Sequence, residues 1–321
     1  MAKQKRNKQR LTVTQRIMQE ATAQLTQPHD LTRKSYIKTF RYFVAYCRQN
    51  YDVKTLDECK SYIQQYSDYL QAAGYTASTV HTYLASVCSV LKIPMSDVRK
   101  PLRKTSDYTR GRTPKKYPTA KEDLYDVRWD YLVRFQAAAG IRKNELRNLK
   151  TSDFVKDESG YDCICIRCGK GGKYQLNRLL PKDVEMVKEY FSNADPDAYV
   201  FDKKYFQNNL NLHKLRSDAA KEYYSYVLHR LQTEPGYREQ LLDEVEKRWN
   251  LYNLDRETGT PKYFDRQRLT TGYYYVRGDL RRKAMEQGKP IKYDKLALLA
   301  TSMFKLSHFR LDVCVHSYML A

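Results

Sequence analysis

From Thr12 to Pro94 apolar side chains return every third or fourth residue, and that spacing restricts this part of the chain to helices packed on one another. A short segment carries Ile17, Met18, Ala21 and Leu25; a second carries Tyr36, Ile37, Phe40, Phe43, Val44 and Cys47 on one face. Thr55 and Glu58 have capping-box spacing, Cys59, Tyr62, Ile63, Tyr66 and Leu70 follow on one face, and Gly74 supplies a stop. A last helix with Val80, Tyr83, Leu84, Val87 and Leu91 ends before Pro94. Four such helices make a small bundle.

A chain of 321 residues is long enough for roughly two domains. It holds 58 Lys plus Arg against 37 Asp plus Glu, a net charge of +21, which points to a polyanionic partner, nucleic acid before an anionic membrane. Residues 1–115 hold 21 of the basic and 8 of the acidic residues, so the first third is expected to contribute many phosphate contacts. No window approaches the roughly 18 apolar residues of a membrane span, and MAKQKRNKQR lacks the apolar core of a signal peptide, so a soluble, intracellular protein is expected. Seven cysteines without a secretory signal read as reduced thiols. Cys163, Cys165 and Cys168 cluster, but no second CxxC or HxxxH pair completes a zinc site, and no metal is expected.

Residues 98–118 are basic, turn-rich and without periodicity, a linker that would serve as spacer or lie along a phosphate backbone. Thr119 and Glu122 again have capping-box spacing, which predicts a helix from there to Gly140, with a short one starting at Arg142. Asp162–Cys168 and Tyr174–Leu180 flank Gly169-Lys-Gly-Gly172 and read as a β-hairpin; the remainder reads as mostly helical. The fold class expected is mainly α with a small β-hairpin or sheet.

Residue types able to hold a phosphate lie in four distant segments. Arg142 and Glu145 share a helical face, where Glu145 orients the guanidinium or forms an ordinary ion pair. GKGGK at 169–173 is not a P-loop, since Tyr174 follows and strands flank it; a lysine at such a hairpin tip is either solvated or reaches into a groove to deliver a proton. His213 and Arg216 also lie one helical step apart. The end of the chain, SHFRLDVCVHSYMLA, carries His308 and Tyr318. His316 is nearer to Tyr318 in sequence, but two residues apart on a helix they point apart.

The order Arg142-x-x-Glu145, Lys170 in a GKGG hairpin, His213-x-Leu-Arg216, His308 in LSH and a closing Tyr318 resembles the tyrosine recombinases, the phage-integrase-like site-specific recombinases. LTRKSYIKTFRYFVAYC and GYTASTVHTYLASVCSVLK are similar to their helical core-binding domain. The resemblance implies a basic arm at 1–30, a SAM-like core-binding domain at 31–97, the linker at 98–118 and an α+β catalytic domain at 119–321. It also implies a site-specific DNA integrase that cuts and rejoins DNA through a 3′-phosphotyrosyl intermediate for a mobile element, without ATP, metal or other cofactor. By the resemblance Tyr318 is the nucleophile, Arg142 and Arg216 clamp the non-bridging oxygens, and His308 adds a donor. Lys170 is the general acid, with Lys173 as the other candidate, and His213 is the base or a further phosphate contact. The partners implied are double-stranded DNA, a homotetramer spanning two DNA sites and a directionality factor, with no membrane, in the cytoplasm or nucleoid of a bacterial cell.

Two departures stand out. Arg216 and His308 are separated by 92 positions, where typical members keep that stretch short. The insertion, 232–292, is basic and aromatic: Arg277, Arg281 and Arg282 with Tyr273 to Tyr275 suit phosphate and stacking contacts, as Arg110 and Arg112 do in the linker. Only three residues follow Tyr318, so either the trailing element that links protomers in many members is replaced, with the insertion the first place to look for the link, or the natural chain runs further. Two other readings compete: a catalytically silent DNA-binding protein of the same fold, and a type IB topoisomerase-like relaxing enzyme.

Overall fold

The computed structural model describes residues 11–25, 30–104, 126–169, 172–207, 209–255 and 257–321. The chain divides into two compact units, Met1–Tyr108 and Thr109–Ala321.

The first unit is helical: α1 (Val13–Gln24), α2 (Asp30–Asn50), α3 (Leu56–Cys59), α4 (Ile63–Ala72) and α5 (Ala77–Leu91). Thr12 and Gln15 form a reciprocal capping box at the start of α1. Thr55 accepts the Glu58 N–H at α3, but the Glu58 carboxylate reaches back to the Lys54 N–H at 2.7 Å. Phe40, Phe43, Val44, Tyr66, Leu70, Val80, Leu84 and Val87 form the buried core, with the Phe43 and Tyr66 rings 5.1 Å apart. Ile17, Ala21 and Leu25 of α1 belong to that same core, so Val13–Gln24 is part of the bundle rather than of a basic arm ending at residue 30. The linker also begins later than its composition indicates. Val98 is buried, the Arg99 carbonyl accepts the Ser67 hydroxyl at 2.7 Å, and the Pro101 carbonyl lies 2.8 Å from His81 Nε2.

The second unit opens with α6 (Asp130–Ala139), preceded by a 3₁₀ turn over Val127–Trp129. Thr119 and Glu122 lie outside the described residues; Asp126 is extended and its side chain accepts the Arg128 N–H, so the helical stretch that ends at Gly140 begins after Asp126. Then follow α7 (Lys143–Leu146) and three strands, β1 (Phe154–Lys156), β2 (Asp162–Ile166) and β3 (Gln175–Arg178), in an antiparallel sheet of order β1-β2-β3. The expected hairpin is β2–β3, with Cys165 opposite Leu176 and Ile166 opposite Gln175. After α8 (Val184–Glu189) comes α9 (Leu212–Thr233), which packs along α6.

The described residues of 232–292 include α10 (Tyr237–Tyr252), α11 (Arg266–Thr270), β4 (Tyr273–Tyr275) and α12 (Gly278–Glu286). β5 (Lys292–Asp294) pairs with β4 in a two-stranded ribbon absent from the helical reading of this stretch. α13 (Lys295–Ala300) widens into a π turn over Thr301–Lys305, and α14 (Leu311–Cys314) into another over Val315–Met319. α10 buries Tyr237, Leu241, Val245 and Trp249 against α13, which makes the insertion part of the core of this unit. The molecule is mainly helical with a small three-stranded sheet and a two-stranded ribbon. No described helix is long and apolar enough to cross a membrane. Six cysteines are buried, Cys168 is exposed, and all seven are free thiols.

Candidate functional site

Arg216 and His308 meet the Tyr318 hydroxyl, and Arg142 and the strand residue Gln175 stand behind His308. α6 ends at Gly140, whose φ of +63° and a Cβ position 3.0 Å from Ala219 admit only glycine without strain. Two residues later Arg142 opens α7. Its backbone N–H donates to Glu145 Oε2 at 2.8 Å and its Nη1 to Glu145 Oε1 at 2.6 Å, so the carboxylate orients both ends of the residue. Glu145 is buried, which makes this more than an exposed surface pair. Nη1 also reaches Gln175 Oε1 of β3 at 3.4 Å.

Arg216 lies on the buried face of α9, 1% exposed. Its Nη1 donates to the Gly140 carbonyl, Nη2 to the Leu306 carbonyl at 2.9 Å, and Nε to Tyr318 Oη at 3.3 Å. Burial pulls the guanidinium below its usual range, and Tyr318 opposes that shift. Both terminal nitrogens hold backbone, so this arginine braces the loop ends; it meets the tyrosine hydroxyl through Nε, with its guanidinium carbon 5.4 Å from the ring centroid. The neighbouring Ser217 donates its hydroxyl to the Tyr318 carbonyl at 2.6 Å. One dipeptide of α9 therefore grips Tyr318 at both ends.

His308 Nε2 lies 3.1 Å from Arg142 Nη2 and 3.4 Å from Tyr318 Oη. A guanidinium has donors only, so this nitrogen acts as acceptor toward Arg142, with the proton assigned to Nδ1. Nε2 has one lone pair, so it becomes available to the tyrosine proton when Arg142 Nη2 turns to another acceptor. The loop that delivers His308 turns at Ser307, a non-glycine residue at φ +52°. Asn177 of β3 holds it there, accepting the Ser307 hydroxyl at 2.7 Å and donating to the Lys305 carbonyl at 2.9 Å.

His213 lies on an exposed stretch of α9 with its ring centroid 5.5 Å from that of Tyr318. Both histidines flank the tyrosine, since the His308 ring centroid is 5.9 Å from that of Tyr318, and His308 Nε2 lies within reach of the hydroxyl. Tyr318 is 4% exposed. His316 points elsewhere, with Nε2 3.4 Å from the Tyr274 hydroxyl. Lys170, Arg110 and Arg112 lie outside the described residues. Lys173 is exposed at the hairpin turn, where its carbonyl accepts the Gly169 N–H at 2.8 Å. The Gln175 amide occupies the space a Cβ at Gly169 would need, so Gly169 lies directly against the side chain that touches Arg142. In the insertion Arg277 and Arg281 are exposed and Arg282 pairs with Asp279 at 3.3 Å.

Sequence reasoning did not single out Gln175, Asn177, Ser217, Lys305 or Ser307. A signal for the first two was present: two amides at alternate positions of a strand share one face, an arrangement without purpose in an apolar core. Lys305 is fully buried, donating to the carbonyls of Ala138 and Arg178, the latter at 3.2 Å. Burial drags its amine down to about 8, with Asp183 opposing and Arg216 reinforcing the shift. Among the described residues no cluster of three or more His, Cys, Asp or Glu is placed to hold a metal ion.

No protein-family model matches the chain, and no curated protein matches it. Among solved structures the chain is similar to XerA recombinase at 23% identity, over 65% of this chain and 84% of that one, with a TM-score of 0.23. Structural overlap that low carries no argument about activity, which rests on the geometry of the site itself.

Proposed function

We propose that this chain cuts and rejoins double-stranded DNA, with Tyr318 as nucleophile. The observation that carries the reading is the convergence on one hydroxyl: Arg216 Nε at 3.3 Å, His308 Nε2 at 3.4 Å, and Arg142 Nη2 3.1 Å from that same imidazole nitrogen. Tyr318 Oη attacks phosphorus, the bond from phosphorus to the 5′ oxygen breaks, and a 3′-phosphotyrosyl bond forms; a second 5′-hydroxyl reverses the step. His308, with Nε2 3.4 Å from the hydroxyl, takes the tyrosine proton, and His213, its ring 5.5 Å from that of Tyr318, is the alternative base or a further phosphate contact. Arg142, half-buried and fixed by Glu145, supplies positive charge to the non-bridging oxygens, with Arg216 behind the nucleophile. Protonation of the leaving 5′ oxygen falls to Lys170 or Lys173 of the hairpin. The helical unit, the basic charge of residues 1–115, a tetramer on two DNA sites and a directionality factor belong to the same proposal.

The test is covalent capture. The protein is incubated with a library of nicked duplexes of random sequence, and DNA retained through denaturing detergent and released by protease is collected. Tyr318→Phe is expected to remove the adduct. Binding of DNA by the wild-type chain without any adduct would sink the enzyme reading in favour of a silent DNA-binding protein, and relaxation of supercoiled plasmid without site preference would favour a topoisomerase.

A further inference from the structure

The ribbon and helix of the insertion build a second basic site. Residues alternate sides along β4, so Tyr274 faces the terminal segment, where its hydroxyl meets His316, while Tyr273 and Tyr275 face away. Tyr275 is paired with Lys292 of β5, which brings these two side chains together on one face. Val276 then turns inward and is buried, and its N–H donates to the Ile291 carbonyl at 2.9 Å. Arg277 leads into α12, and Arg281, four residues on, returns to the same side.

The result is a groove of about 520 Å³ lined by Tyr275, Arg277, Arg281, Ile291 and Lys292. Three cations line it and no carboxylate does. Arg282 on the same helix is paired to Asp279, and Arg310 to Asp312, whereas among the described residues Arg277, Arg281 and Lys292 form no ion pair. Gathering like charges in one concavity costs energy that an anion relieves.

We infer that this groove binds the sugar–phosphate backbone of duplex DNA away from the bond that Tyr318 attacks; this rests on the reading of the chain as a DNA-cutting enzyme. Duplex is favoured over single strand because successive unpaired bases need successive aromatic platforms, and Tyr275 is the one aromatic side chain in the lining. Tyr273, the next outward-facing ring, is already covered by Lys292, whose Nζ stands 3.7 Å from its centroid.

The test reads binding without cleavage. In a Tyr318→Phe background, Arg277→Gln, Arg281→Gln and Lys292→Gln are combined, and affinity for a fluorescent random-sequence duplex is measured by anisotropy across a salt series. The slope of log affinity against log salt is expected to become shallower by about 0.9 for each phosphate no longer neutralised, about 2 to 3 in all, with weakening uniform across sequences. Arg281→Glu alone, at an exposed helical position, is expected to weaken binding in the same direction. Unchanged slope and affinity in both variants would overturn the assignment, and so would weakening confined to a single-stranded oligonucleotide. Since no adduct is scored here, failure of the covalent-capture test leaves this result readable on its own.

Discussion

Tyr318 is held by contacts that the pattern of neighbouring residues does not reveal. Its hydroxyl meets Arg216 and His308, and its carbonyl accepts the Ser217 hydroxyl at 2.6 Å. Ser217→Ala removes the second anchor and leaves a buried carbonyl unpaired, a cost of about 1 to 3 kcal/mol. If that cost falls on the reactive position of the tyrosine, the rate of adduct formation drops by roughly tenfold or more while affinity for DNA is unchanged. Single-turnover kinetics beside anisotropy separates this from a general loss of fold, which lowers both. Lys305 makes a second residue-scale prediction, in pH. The unfolded lysine keeps its proton to about 10.5, whereas in the folded chain burial lowers that value to about 8. Between those values the unfolded state binds more protons, so stability attributable to Lys305 rises with pH across the window. Urea unfolding at pH 7.5 and 9.5 is expected to show wild type gaining about 2 kcal/mol relative to Lys305→Met. Equal changes in both proteins would show that the amine is not held in this way.

At the scale of elements, the insertion is bolted to the sheet by buried charge. Arg178 of β3 pairs with Asp157 at 2.5 Å and with Glu244 of α10 at 2.6 Å. Arg248 of α10 pairs with the same Asp157 oxygen at 2.7 Å and also holds Glu158. Burial by itself would raise the Asp157 carboxyl, but the two guanidiniums overcome it and leave the group lowered. The face of Phe304 lies 3.6 Å from the Arg178 guanidinium carbon, so the network also carries the element that leads to His308. Arg248→Met strips Asp157 and Glu158 of a buried partner and is expected to cost about 3 to 5 kcal/mol, measured by chemical denaturation. A change near zero would mean that α10 is an appendage. The composition of 232–292 marked it as basic and aromatic, but Glu244 and Arg248, four apart on a helix, read as one more exposed pair until the sheet against which they pack is known.

Over the whole molecule, each of the two units has its own apolar core. Residues 12–94 were legible because bundle helices announce themselves through local spacing: Phe40, Phe43, Val44 and Cys47 need a helix to share a face, and all four are buried. The limits of that unit were less legible. The helix of Val13–Gln24 follows directly on the basic stretch MAKQKRNKQR, so charge does not mark where the bundle starts, and Arg99 and Pro101 hold to the bundle through backbone carbonyls, groups that every residue carries and no sequence pattern marks. In the second unit the hairpin was visible in its glycines and alternation, while the β4–β5 ribbon, three residues a side and separated by α12, was too short and too split to give a period.

Residue order alone determined the helical character of the first unit, the β2–β3 hairpin and the residue types collected for a phosphate, because caps, glycines and periodicity act within a few positions of one another. Only the tertiary structure decided which atoms those residues touch. It committed the Arg216 terminal nitrogens to the carbonyls of Gly140 and Leu306, brought His308 to the Tyr318 hydroxyl, and set Asn177 against the turn at Ser307. Each of these contacts is a directional hydrogen bond, and all but the His308–Tyr318 pair span dozens of residues or more. Their geometry depends on how α6, α9, β3 and the chain's last segment pack together, which no local spacing encodes.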